Sequence, residues 1–158
     1  MSTMHIFGMA KSSLNLKGAK RQKVELDYLR LVYACLVYPA SKAYLVVTDT
    51  AMENTVLKWA KKYKADGVVN VKVLPTEKLT TELRAEKKRN VRGMVDAING
   101  KGLNTDAVAA LGEQICEEYL LELMQAIYPA IGHKHHCQKK IDYRKLPLGV
   151  NWDFYAEY

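Results

Sequence analysis

The sequence contains few cysteines and no long hydrophobic run. Its three cysteines in 158 residues are an odd number without the spacing of a disulfide framework, so we expect reduced thiols, as in cytoplasmic proteins. No apolar stretch approaches the roughly 20 residues that a membrane-spanning helix requires. The segment 1–10 is too short and too interrupted for a signal peptide. These features predict a protein of the cytoplasm without a membrane partner.

Motifs that identify an activity by themselves are also missing. The chain has no Gly-x-Gly-x-x-Gly sequence and no phosphate-binding loop, so the sequence does not support the common nucleotide-binding sites. Predictions about function therefore depend on charge, on the order of the secondary-structure elements and on small groups of polar residues.

Acidic residues are absent before Glu25, and the net charge of the whole chain is +7. Clustered lysine and arginine attract polyanions, of which nucleic acid is the commonest, although a solvated surface is the alternative interpretation of each cluster. We predict nucleic acid as the partner. Basic residues form three clusters, at 11–23, 84–92 and 134–145. The residues that we expect to contact phosphates lie in the first two clusters and are Lys11, Lys17, Lys20, Arg21, Lys23, Lys87, Lys88 and Arg89.

Residues 43–74 have the pattern of a strand, a helix and a second strand. The runs 43–47 and 68–74 are apolar, rich in β-branched residues and too short for helices. Between them, Thr50 and Glu53 have the spacing of a capping box at the start of a helix. The apolar stripe of this helix consists of Met52, Val56, Trp59, Ala60 and Tyr63.

The first half of the chain extends this pattern. Residues 3–10 predict a first strand, and 19–38 predict a helix that ends before a proline. Apolar strands that alternate with packed helices are typical of a largely parallel sheet. We therefore predict an α/β fold with the order β-α-β-α-β in residues 4–74, a small, mainly parallel sheet and a helical C-terminal half.

The second half is helical in pattern and ends in a segment of different composition. Residues 76–98 indicate one long or two short helices, and a further long helix ends before Pro129, with Ile127 on its apolar face. Together, residues 1–132 predict a single domain. Residues 133–158 are basic and then aromatic, so this tail either packs on the domain or binds a partner protein or a second copy of the chain.

The order of elements around Lys11 resembles the restriction-endonuclease-like superfamily. The stretches "KSSLNLKGAKRQKVELDYLRLVYA" (11–34) and "AYLVVTDTAMENTVLKWAKKY" (43–63) are similar to the second half of that core. The resemblance implies a fold in which an aspartate and a Glu-x-Lys motif hold a divalent metal, such as Mg²⁺, that activates water against a phosphodiester. Only Lys11 matches this motif. Met9 stands where the glutamate is expected, and the strand with the first aspartate of the family is missing.

The resemblance implies a nucleic-acid-associated protein with a degenerate endonuclease-like domain that does not catalyse cleavage alone. The alternative is a metal-dependent nuclease or phosphodiesterase in which Lys11 acts with carboxylates from Glu25, Asp27 or Asp49, or from a partner subunit. A third alternative is a protein-interaction module that uses the aromatic tail.

Two polar groups remain. Asp49 and Thr50 follow the central strand, at the end where α/β sheets bind ligands. Capping of the next helix also explains these two residues, and it is the interpretation that we favour. Histidine and cysteine also concentrate at the start of the tail, where they suggest a zinc site or a weakly basic surface segment. The candidate zinc ligands are His133, His135, His136 and Cys137, with Cys116 as a further thiol.

Overall fold

A five-stranded sheet organises the part of the chain that the structure describes. The computed structural model describes residues 3–12, 19–78, 105–131, 135–137 and 142–158. The strands are β1 (His5–Lys11), β2 (Ser41–Val47), β3 (Val69–Val73), β4 (His135–Cys137) and β5 (Phe154–Glu157), in the spatial order β3-β2-β1-β5-β4. The helices are α1 (Ala19–Val37), α2 (Thr50–Lys62) and α3 (Thr105–Ile127).

The first three strands form the parallel part of the sheet. β1 pairs with β2 and β2 pairs with β3, both in parallel, whereas β5 is antiparallel to β1 and β4 is antiparallel to β5. The prediction of an α/β fold with a mainly parallel sheet and a helix in the C-terminal half is confirmed. The strands β4 and β5 come from the segment that follows residue 132, and the sequence analysis did not predict them.

Helices α1 and α2 cover one face of the sheet. Alternate residues of β1 and β2 point to this face because side chains alternate along a strand, and Phe7 and Leu45 are among them. Tyr28 of α1, Trp59 of α2 and Trp152 complete the same apolar cluster. Trp152 is only 1% exposed, so the aromatic end of the chain contributes to this core.

Helix α3 covers the opposite face. Its buried residues follow helical spacing and are Ile115, Cys116, Leu120 and Met124. Gly8 of β1 allows α3 to come close, because a Cβ atom there would lie 3.1 Å from both Cδ atoms of Leu120 and from Cβ of Phe154. Ile127 is exposed, so the prediction that it belongs to the buried face is wrong. The helix ends at this residue, and Tyr128 takes the buried position instead.

A side-chain cap fixes the start of α2, and a residue with a positive φ angle follows its end. Asp49 is the N-cap, and its Oδ1 accepts a hydrogen bond from the backbone N–H of Met52 at 2.7 Å. The capping box predicted from Thr50 is therefore wrong by one residue, whereas the capping interpretation that the sequence favoured for Asp49 is confirmed. At the other end Tyr63 is the C-cap, and its N–H bonds to the Trp59 carbonyl. Lys64 follows with φ of 53°, which turns the chain out of the helix.

No helix among the described residues is long and apolar enough to cross a membrane.

Candidate functional site

The carboxyl end of β1 occupies the place where α/β sheets bind ligands. From β1 the chain moves outward to β2 and β3, and β5 later joins the other side of β1. Such a reversal of strand order leaves a crevice at the strand ends, between helices on opposite faces. Lys11 is the last residue of β1 and pairs in register with Val47 of β2. β5 begins with Phe154, opposite Gly8, so its pairing with β1 starts three residues before that end.

Three carboxylates surround Lys11 at this point, and we call the four residues Lys11, Asp27, Glu113 and Asp153 the Lys11 cluster. The Lys11 Nζ atom lies 3.2 Å from Asp27 Oδ2, 3.7 Å from Glu113 Oε1 and 3.9 Å from Asp153 Oδ2. Asp27 comes from α1, Glu113 from α3 and Asp153 from the residue before β5. The cluster thus joins both helical layers to the central strand.

Two of these carboxylates also bind the backbone of β1. Asp153 Oδ2 accepts a hydrogen bond from the Ala10 N–H at 2.8 Å, and Glu113 Oε2 accepts one from the Ser12 N–H at 3.2 Å. These N–H groups lie beyond the point where β5 pairs with β1, so side chains replace the missing strand partner. Asp27 has a second cation, because Arg30 Nη1 lies 2.9 Å from its Oδ1.

The environment holds Lys11 in its charged form. Burial by itself lowers the pKa of the amine. The negative charges of Asp153, Asp27 and Glu113 outweigh that effect, so the Lys11 pKa is raised above its ordinary value of 10.5. For Asp153 burial is the largest cause and raises the pKa of its carboxyl group, while Lys11 and the Ala10 N–H oppose that rise without cancelling it.

The arrangement does not fit a divalent metal. Among the residues that the structure describes, no group of three or more His, Cys, Asp or Glu side chains is placed to hold a metal ion. The Lys11 ammonium group itself lies between the carboxylates, where a cation shared by them would be. The Lys11 cluster is therefore an ion-pair network that fixes the end of β1.

The other acids predicted for catalysis lie elsewhere. Glu25 Oε1 accepts hydrogen bonds from Tyr63 Oη at 2.7 Å and from Lys62 Nζ at 3.5 Å, and Asp49 caps α2. Sequence reasoning named Asp27 but missed Glu113 and Asp153. No local pattern marks these two, because they are more than 100 residues from the β1 backbone atoms that they bind.

Exposed basic residues meet where Glu25 contacts the end of α2. Arg21 lies one helical turn before Glu25, and Lys58 lies one turn before Lys62, so each pair shares a helix surface. We call the basic residues of these two helix ends the α1–α2 basic surface. They are all exposed, and they are Lys20, Arg21 and Lys23 of α1 together with Lys58, Lys61, Lys62 and Lys64 at the end of α2.

The start of α1 is electropositive for a second reason. The first turn of α1 contains no acidic residue, although acids are favoured there by the helix dipole. Lys20 and Arg21 instead add positive charge to the positive end of the helix dipole. Glu25 is the acid nearest in sequence to Lys20 and Arg21.

The remaining predicted residues have the following places. Lys17, Lys87, Lys88, Arg89 and His133 lie outside the described residues. His135, His136 and Cys137 form β4, and their side chains lie outside the described part of the structure, so the zinc site stays a prediction. Cys116 is buried, and burial together with Glu113 and Glu117 raises the pKa of its thiol to about 12, which leaves no reactive thiolate at neutral pH.

No family model, no curated protein and no solved structure matches this chain. The resemblance to the restriction-endonuclease-like superfamily therefore stays a prediction, and the proposals below depend on the geometry of the chain itself.

Proposed function

We propose that the protein binds nucleic acid through the α1–α2 basic surface and does not cleave it by itself. The observation that carries the proposal is the double contact of Glu25 with Lys62 and Tyr63. This contact brings two basic segments, separated by some 40 residues in the sequence, onto one surface. A phosphate backbone carries a negative charge at every nucleotide, so exposed basic residues from two segments that lie near one contact suit it better than widely scattered ones.

The exposure of these side chains supports the proposal. Exposed ion pairs contribute little because water and salt screen them, so the contact between Lys62 and Glu25 does not prevent Lys62 from approaching a phosphate. Lys11 is different. Its side chain is 20% exposed and its ammonium group is surrounded by carboxylates, so in this proposal it does not contact phosphates. In this proposal the Lys11 cluster has a structural role, because it holds α1 to the sheet.

Other observations agree with this proposal. Cys35 and Cys116 are free thiols, which fits the reducing cytoplasm in which we propose that the protein acts. Trp152 and Phe154 are buried in the core, so these aromatic residues are not available to a partner protein. In this proposal the interaction surface lies on α1 and α2, and these two aromatic residues of the tail belong to the core.

Binding to labelled oligonucleotides tests the proposal. We expect fluorescence anisotropy to show binding at low ionic strength and a steep loss of affinity as salt is added, because phosphate contacts release counterions. Absence of binding to both DNA and RNA at low ionic strength would contradict the proposal. Plasmid cleavage in Mg²⁺ or Mn²⁺ that disappears in Lys11→Ala would instead support the metal-dependent nuclease of the sequence analysis.

A further inference from the structure

An aromatic ring lies within the α1–α2 basic surface. Tyr63 is 37% exposed and directly follows Lys61 and Lys62, with Lys64 after it. Helical spacing predicted that Tyr63 lies on the buried stripe of α2. The helix ends at Lys62, and Tyr63 turns outward as the C-cap, so that prediction is wrong.

The Tyr63 ring is held in position by its neighbours. Its hydroxyl group donates a hydrogen bond to Glu25 Oε1 at 2.7 Å, and the Lys62 Nζ atom lies 5.0 Å from the ring centroid. The backbone N–H bonds to the Trp59 carbonyl at 2.9 Å. A side chain that is already ordered loses little conformational entropy when a ligand packs on it. The Lys62 ammonium group lies over one face of the ring, so a planar partner would stack on the other face.

We propose that the α1–α2 basic surface prefers single-stranded nucleic acid, with one unpaired base stacked on Tyr63. This inference rests on the proposed function, and it adds the class of nucleic acid. In a duplex, each base is covered on both faces by its neighbours, so phosphates alone meet a protein surface of this kind. In a single strand the bases can turn outward, and binding proteins pair a basic surface with aromatic rings on which the bases stack.

Tyr33 provides a matched comparison on the same helical layer. Its side chain is 57% exposed, more than that of Tyr63, but its exposed neighbours on α1 include Leu36 and Val37, which are apolar. The cation one helical turn before Tyr33 is Arg30, and its guanidinium group is already paired with Asp27 at 2.9 Å. Stacking on Tyr33 would therefore leave the phosphates with few partners. We therefore assign the base contact to Tyr63 and not to Tyr33.

Four proteins and two ligands test this inference. The ligands are a labelled single-stranded oligonucleotide and a hairpin duplex of the same length, and the proteins are the wild type, Tyr63→Ala, Tyr63→Phe and Tyr33→Ala. We expect Tyr63→Ala to weaken single-strand binding about 5- to 100-fold, because stacking on one aromatic ring contributes about 1–3 kcal/mol. Duplex binding should change less than about twofold, and Tyr33→Ala should bind both ligands as the wild type does.

The Phe variant separates stacking from the hydrogen bond. Tyr63→Phe keeps the ring but loses the bond to Glu25 that helps to order it, so we expect it to lose clearly less single-strand affinity than Tyr63→Ala does. Equal loss of single-strand and duplex binding in Tyr63→Ala, or no loss of either, would overturn the stacking proposal while nucleic-acid binding itself remains. If the wild type binds neither ligand, the proposed function is the part that fails.

Discussion

Lys11 and Asp27 form an ion pair that connects the central strand to the first helix. The Lys11 Nζ atom lies 3.2 Å from Asp27 Oδ2, and Asp27 is 4% exposed. Residues 12–18 separate the end of β1 from α1 in the sequence, so this contact fixes the helix close to the strand end. The orientation of the α1 part of the α1–α2 basic surface therefore depends on the ion pair between Lys11 and Asp27.

Replacing Lys11 by methionine should destabilise the protein by about 3 kcal/mol, because three carboxylates lose their shared cation. Asp27 keeps Arg30, which limits the loss. Urea unfolding followed by circular dichroism measures the free energy of unfolding. Lys58→Met, at an exposed position of α2, is the matched control and should change this free energy by less than about 0.5 kcal/mol.

A double-mutant cycle identifies the partner. Combining Lys11→Met with Asp27→Asn should cost clearly less than the sum of the two single changes, because each change already removes the same ion pair. Additive costs would show that the two residues do not interact. Equal free energies of unfolding for Lys11→Met and Lys58→Met would show that the Lys11 ammonium group does not stabilise the protein.

The stabilisation by Lys11 should disappear at high pH. Its pKa is raised in the folded protein above the value of 10.5 that we take for the unfolded chain. The stabilisation is then complete below about pH 10.5 and is lost as the pH rises through the folded-state pKa. The difference in unfolding free energy between the wild type and Lys11→Met should stay constant from about pH 7 to about pH 9 and decrease above about pH 10.5. A difference that grows in this alkaline range would contradict the sign of the shift.

Gly8→Ala should destabilise the protein by about 1–3 kcal/mol, because the added methyl group meets Leu120 and Phe154 at 3.1 Å. Thermal or urea unfolding measures the effect. In the background of Leu120→Ala, which removes the nearest methyl groups, the same substitution should cost less. An equal cost in both backgrounds would mean that the contact between β1 and α3 is not what requires a glycine here.

Local sequence was sufficient for β2, α2 and β3. The apolar run at 43–47 is buried on both faces, and a run of this kind is recognisable without knowledge of its neighbours. The cap of α2 was misplaced by one residue because Asp49 and Thr50 are adjacent and both types cap helices. Tyr63 was misplaced because helical spacing continues the stripe past Lys62, whereas the helix itself ends there.

Long-range contacts account for what the sequence did not predict. Phe154–Glu157 is only four residues long, and it becomes a strand because β1 offers an unpaired side. Asp153 and Glu113 reach Lys11 only after both helical layers and β5 have assembled. The α1–α2 basic surface also depends on assembly, because Glu25 meets Lys62 and Tyr63 across two helices. The net charge of the chain indicated a polyanion partner without showing where the charges come together.

The salt dependence of nucleic-acid affinity tests the central claim most directly. The variants remove two cations from each helix, Lys20→Gln with Arg21→Gln on α1 and Lys61→Gln with Lys62→Gln on α2. Lys42→Gln with Lys72→Gln, at exposed positions of β2 and β3, is the matched control. Each lost phosphate contact should reduce the slope of log affinity against log salt by about 0.7–0.9, so each helix pair should reduce it by up to about 1.4–1.8 and the control should leave it unchanged. A control pair that reduces the slope as much as the helix pairs, or helix pairs that leave it unchanged, would contradict binding at the α1–α2 basic surface.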